Sequence, residues 1–286
     1  MIVRYHGTLT ALSPIHHGGD ETTGNVRLFR STKMVIADGT VARVPIISGN
    51  SIRGKLRRLV MRDLLQRVGY DNQSARLHHM LFSGGILDAA EQADPRTDLG
   101  FRRRLRETLP PLSLLGTAVG TMMIDGILRC EHAIPICVET AHITGHETAL
   151  DKRSLTDFAF IVRNDDLTFA GADDNVSTQM IVSFETVAPG AQFAHAFSLR
   201  DPNEIEIACL GHMLTLFAGD PVIGGKAAEG FGVVRTDYPG APDNTPYLSW
   251  IDVHAADVHA MLAEIAERFT GKAKPSKATT DDEAAA

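Results

Sequence analysis

Hydroxyls, a helix start and a run of positive charge coincide in Ser48-Gly49-Asn50-Ser51-Ile52-Arg53-Gly54-Lys55-Leu56-Arg57-Arg58. Ser48 to Ser51 read as a tight turn offering an N-cap. From Ile52 the period is helical, with Leu56, Leu59, Val60, Leu64 and Val68 on one face. Free amide N–H groups at a helix start, together with hydroxyls and guanidinium groups, make an anion site. Gly54 inside the first turn costs about 1 kcal/mol against alanine, so another backbone is expected to pass close to it. The alternative that these residues allow is an amphipathic helix whose basic face is merely solvated.

Two further segments carry chemistry. In Ser13-Pro14-Ile15-His16-His17-Gly18-Gly19-Asp20, the proline ends regular pairing and the glycines allow a compact loop. His16 and His17 are placed to stack on a base or touch a phosphate. Two adjacent histidines with no cysteine nearby do not specify a metal site, and neither a metal nor a cofactor is expected. In the stretch from Ile223 to Val233, Gly224, Gly225, Lys226, Gly230 and Gly232 precede a strand. This spacing is neither a Walker loop nor a dinucleotide fingerprint, but a backbone amide nest for phosphates fits it.

These segments need elements to hold them. Residues 1–12 read as a strand, and 20–43 as a hairpin-like pattern turning at Asp38-Gly39. Residues 70–119 read as mostly helical and contain a second basic cluster, Arg102-Arg103-Arg104 with Arg106; 119–139 return to strand. Residues 140–183 are polar apart from Phe158-Ala159-Phe160-Ile161-Val162, which points to a protruding arm rather than a loop. Residues 180–199 read as a hairpin turning at Ala188-Pro189-Gly190. Asp201 is then expected to cap a helix that runs through Ala218. A short acidic helix over 255–269 and a disordered tail over 270–286 complete the chain.

The whole composition sets bounds. The formal charge of −7 hides an asymmetry: residues 1–110 carry 17 Lys+Arg against 10 Asp+Glu, and the rest carry 11 against 25. Such a dipolar chain suits binding a polyanion on one face or stacking head to tail with copies of itself. Three cysteines, Cys130, Cys137 and Cys209, point to a reducing compartment and core positions. With no apolar run long enough to span a bilayer, no membrane association and a cytoplasmic location are expected.

Taken in order, the segment from Ser13 to Gly19, the strand–turn–helix from Ile46 to Arg57, Glu139-Thr140-Ala141, the run from Glu185 to Phe193 and the glycine-rich run from Ile223 to Val233 resemble the RAMP proteins of CRISPR effector complexes, in particular the backbone subunit that polymerises along guide RNA. The resemblance covers about residues 3–235. It implies the α/β class (α+β), with a ferredoxin-like, RNA-recognition-motif core over 1–69, 119–140 and 181–254. A helical insertion would occupy 70–118 and a projecting thumb 141–180, with Phe158, Phe160, Ile161 and Val162 as its apolar residues. It implies phosphate contacts from Ser48 to Arg58, and partners in guide RNA, complementary target DNA or RNA, further copies of the chain and other effector subunits. Target-cleaving relatives carry an aspartate in the loop after the His-Gly-Gly element. The matching stretch here is Gly24-Asn25-Val26-Arg27, without an acid, and Asp20 and Glu21 stand too early. The chain therefore looks more like a non-cleaving backbone subunit, closest to those of type IV complexes. Two other readings stay open: an endoribonuclease of the same superfamily, with His16 or His17 as base, and a structural protein-interaction module.

Overall fold

The computed structural model describes residues 1–71, 74–85, 99–120, 122–163 and 180–270. In chain order the elements are β1 (Ile2–Ala11), β2 (Gly18–Thr23), β3 (Val26–Phe29), β4 (Ser31–Val35), β5 (Val41–Pro45), α1 (Gly49–Val68), α2 (Ala75–Ser83), α3 (Leu99–Thr108), α4 (Pro110–Leu115), β6 (Thr117–Val119) and β7 (Met122–Ile124). They continue with β8 (Leu128–Cys130), β9 (Ile134–Pro135), α5 (Ala141–Thr144), β10 (Thr156–Arg163), β11 (Met180–Val187), β12 (Gln192–Arg200), α6 (Glu204–Gly219), β13 (Val234–Asp237) and α7 (Thr245–Thr270).

The central sheet has the order β13-β1-β12-β8, with β9 also on β12. Its longest pairing, β1 with β12, runs antiparallel from Ile2↔Arg200 to Thr10↔Gln192. Leu9, Phe193, Phe197 and Leu199 join Ile52, Leu56, Val60, Met213 and Phe217 of α1 and α6 in one buried cluster. The path β1-α1-β8-β12-α6-β13, with the last strand beside the first, is consistent with an RNA-recognition-motif-like core in a mixed α/β chain. Outside this layer, α7 packs on α1 and α6 and buries Tyr247, Ile251, Val258, Leu262 and Ile265. It is far longer than the expected 255–269 helix. The Asp243 carboxylate accepts from the Thr245 amide at 3.0 Å, and Pro246 stands in the first turn, a start signal already present in the sequence. Within 70–118 the described residues form α2, α3, α4 and the start of β6.

A second sheet, β10-β11-β3-β2, carries the arm. Its inner join is parallel, at Phe184↔Arg27. The expected hairpin over 180–199 is not formed: the chain turns at 188–191, but β11 pairs with β10 and β3 while β12 joins the central sheet. The donors of the turn explain this, because Ala188 N–H goes to Leu155 O and Gly190 N–H to Ala11 O, one toward each sheet. The ranges 1–69 and 181–254 accordingly hold strands of both sheets. The β4–β5 hairpin does turn at Asp38-Gly39, where Gly39 has φ +83° and Asp38 accepts from the Thr40 amide at 2.8 Å. The α6 cap is Asn203, two residues later than expected; Asp201 instead pairs with the Met1 amine. Residues 164–179 of the arm and 271–286 of the expected tail lie outside the described residues. Among the described residues no helix is long and apolar enough to cross a membrane.

Candidate nucleic-acid interface

The start of α1 is built as its sequence demands, with Ser48 Oγ accepting from the Ser51 amide at 3.2 Å. Its free amides are fewer than expected. Ser48 N–H donates to His17 Nε2 at 3.1 Å, and Gly49 N–H donates to His132 Nδ1 at 3.0 Å. Only a neutral imidazole can accept there. Burial, then the neighbouring Arg30, His16 and His132, lower the His17 pKa to about 4, which keeps it neutral. Nothing local to α1 could have announced His132, which lies 83 positions away.

The basic face of α1 is divided. Arg57 is buried and donates to Leu81 O at 3.3 Å and to Leu115 O and Gly116 O at 2.8 Å; Arg53 also donates to Leu115 O. Leu115 O and Gly116 O lie at the C-terminal end of α4 and Leu81 O near that of α2, where partial negative charge gathers. Lys55 turns the other way, to Asp220 at 2.6 Å. Arg58 is exposed and makes no ion pair among the described residues. Gly54 does not face a passing backbone; the nearest group is the Arg58 guanidinium. The glycine that does is Gly49, where a Cβ would come within 2.2 Å of Cys130 O.

The other two segments converge on this start. His16 Nδ1 lies 3.1 Å from Glu185 O, and its ring meets Phe184 edge-on at 4.6 Å. His16 O accepts from Gly225 N–H at 2.8 Å, and Pro14 O accepts from Gly232 N–H at 2.8 Å. A side chain at Gly224 would collide with His16 O at 2.3 Å, so the two loops can touch only through glycine. Gly230, by contrast, has open space around it. Lys226 places its Nζ 4.7 Å above Phe184, whose ring also meets Phe231 at 5.4 Å. Burial, aided by Lys226 and Arg27, lowers the His16 pKa. Arg27, Arg30 and Lys226 therefore surround neutral histidines with positive charge. The expected loop is shorter than read, since Gly18 and Gly19 already belong to β2. The residue pattern singled out neither Arg27 nor Arg30 as a contact, nor Phe184 and Phe231; β3 and β11 bring Arg27 and Phe184 to the histidines, and the loops that follow β3 and precede β13 bring Arg30 and Phe231.

On the arm, Phe158, Phe160 and Val162 are exposed along one face of β10, while Ile161 belongs to the other. Ile181 of β11 lies opposite Val162 and extends the exposed strip. Asp20 pairs with Arg30 at 3.3 Å, and Glu21 takes a two-pronged contact from Arg43. Among the described residues no group of three His, Cys, Asp or Glu side chains could hold a metal ion.

No family model matches the chain, and no curated protein matches it. Its fold is similar to that of a chain in a solved Type IV-B CRISPR complex, with a TM-score of 0.62 and 23% identity over 84% of this chain and 92% of that one. At that identity the likeness is one of fold, and it joins this chain to the architecture of a subunit in such a complex.

Proposed function

We propose that the chain is a non-catalytic backbone subunit that polymerises along CRISPR guide RNA, head to tail with copies of itself and alongside other effector subunits, and presents the guide for pairing with target DNA or RNA. The observation that carries this reading is the convergence of the His16-His17 loop, the Ser48 turn and the Gly224–Gly232 loop on one cationic surface, over the buried rings of His16 and Phe184. The fold likeness supports it, and a type IV setting fits best. Such a surface would bind phosphates without reading sequence, as a subunit that must accept any guide requires. Because Arg53, Lys55 and Arg57 are engaged within the chain, Arg27 and Lys226, the latter 3.9 Å from Glu229, are the cations to replace. The Arg27→Ala/Lys226→Ala chain should bind unrelated RNAs equally weakly, with the salt slope reduced by up to about 0.7 for each lost phosphate contact. Unchanged affinity in a folded variant would sink the reading.

The non-catalytic part rests on the stretch Gly24-Asn25-Val26-Arg27, which offers no carboxylate to a metal, and on the pairing of Asp20 and Glu21 with arginines. The assembled complex is to be incubated with complementary RNA and DNA in Mg²⁺ and in Mn²⁺. Products at regular intervals that disappear on replacing Asp20, Glu21, His16 or His17 would make the loop an active site instead.

A further inference from the structure

The central sheet has one covered face and one open face. Leu9, Phe193, Phe197 and Leu199 join the helices, so the alternate residues of β1 and β12 stand on the other side. There Arg4, Ser198 and Arg129 form one row across β1, β12 and β8, and Arg235 of β13 lies beside Thr10. Arg4, Arg129, Arg200 and Arg235 are all exposed. Among the described residues only Arg4 of these four makes an ion pair, a loose one at 3.6 Å from Glu131. Asp237 is the one acid that the four strands place on this side. None of their Phe, Tyr or Trp residues stands there, so a single-stranded RNA would find no ring on which to stack its bases. A flat acidic protein surface fits this face better.

Such a surface exists on the opposite side of the same molecule. α7 packs on the outside of α1 and α6, and it turns Asp252, Val253, Ala256 and Asp257 to solvent. Asp257 borders a cleft of about 440 Å³ between α3 and α7, walled by Trp250 and His254. Those two rings are stacked, with centroids 4.6 Å apart and planes at 12°. Glu107 and Glu264 also line the cleft, but they already hold Arg103 and Arg104. Asp252 and Asp257 make no ion pair among the described residues. A guanidinium group from outside would find both a carboxylate and a flat ring here.

We propose that the open sheet face of one copy docks on the outer face of α7 of the next, with an arginine of the sheet entering the Trp250–Asp257 cleft. The two faces lie on opposite sides of the α1–α6 layer, so the contact joins unlike surfaces and can repeat. This names the surfaces of the head-to-tail assembly and rests on that reading. The test is sedimentation of the full chain at low salt without RNA, with one variant for each face: Arg129→Glu/Arg235→Glu and Asp252→Lys/Asp257→Lys. The unsubstituted chain should associate with rising concentration and less so with added salt, and the emission of Trp250, the single tryptophan, should change in step. Each variant alone should associate at least about tenfold more weakly, with unchanged thermal unfolding; Asp252→Asn/Asp257→Asn serves if charge reversal harms the fold. In an equimolar mixture of the two variants every contact between unlike chains pairs opposite charges, and association should return. An unsubstituted chain that stays monomeric, association unaltered in either variant, or no recovery in the mixture overturns the proposal. Both variants should bind an RNA long enough for one copy as the unsubstituted chain does. Loss of that affinity in the sheet variant would give the face to nucleic acid and also overturn it. As association is read without RNA, its failure is distinguishable from failure of the RNA-binding test.

Discussion

His17 and His132 hold the first two amides of α1 as acceptors, and a proton on either ring would turn that acceptor into a donor facing a donor. The unfolded His17 imidazole titrates near 6.5, whereas in the folded chain its pKa is lowered to about 4. Between these values the unfolded state binds more protons, so His17 makes the fold lose stability as pH falls from about 6.5 toward 4. His195, also lowered to about 4 by burial, adds to the same limb. Urea unfolding across that window should give a shallower acid limb for His17→Asn than for the unsubstituted chain, and an identical slope would contradict the capping role. Arg57→Met should cost about 2 kcal/mol, because it leaves Leu81 O and Gly116 O without that donor while Leu115 O keeps Arg53. The midpoint of urea denaturation measures this, and the binding of RNA by the remaining folded chain should be unchanged. The sequence showed that Arg57 is basic and lies in a helix. It could not show that α4 ends opposite it, since helical spacing gives a residue its face but not the element across from it.

Caps and turns were legible because they are local. Ser48 announced α1, and Asp38-Gly39 announced the β4–β5 turn. At α6 two overlapping signals competed, and Asn203 with Glu206 won because each side chain reaches the other's amide, at 2.8 and 2.9 Å. Asn203→Ala should therefore lower stability by about 1 kcal/mol, while Asp201→Ala, which removes an exposed ion pair, should change it by less than Asn203→Ala does; thermal unfolding of the two variants decides. What period and propensity could not supply was the partner of each strand. β11 and β12 are consecutive and both apolar, yet they belong to different sheets. The arm bears a further expectation. Phe158 and Phe160 are 53% and 66% exposed, so their double replacement by serine should leave stability within about 0.5 kcal/mol. If the arm contacts a neighbour or the guide, the same replacement should shorten the assemblies formed on RNA, as sedimentation would show.

For the molecule as a whole, the charge is divided along the chain, with 17 basic against 10 acidic residues in 1–110 and 11 against 25 beyond. Unlike surfaces that meet head to tail leave an open assembly when the rotation does not close. Sedimentation with RNAs of increasing length should then give rising subunit numbers, weakened by salt, and a fixed dimer at every length would count against it. The central order β13-β1-β12-β8 could be anticipated only through family resemblance, since its pairs join residues as far apart as Ile2 and Arg200. The chain crosses directly between the two sheets after β1 and before β12. Those crossings are bonded to each other: Ile15 and Val187 exchange both amide bonds, at 3.0 and 2.9 Å, and Ala11 N–H reaches Ala191 O at 2.9 Å. A swivel needs backbone torsions free to turn, and here they are tied in pairs. The arm is consequently a lever without a pivot: a load applied to Phe160 is carried straight into β1 and β12, and the angle at which the arm is held is inherited from the chain's own backbone.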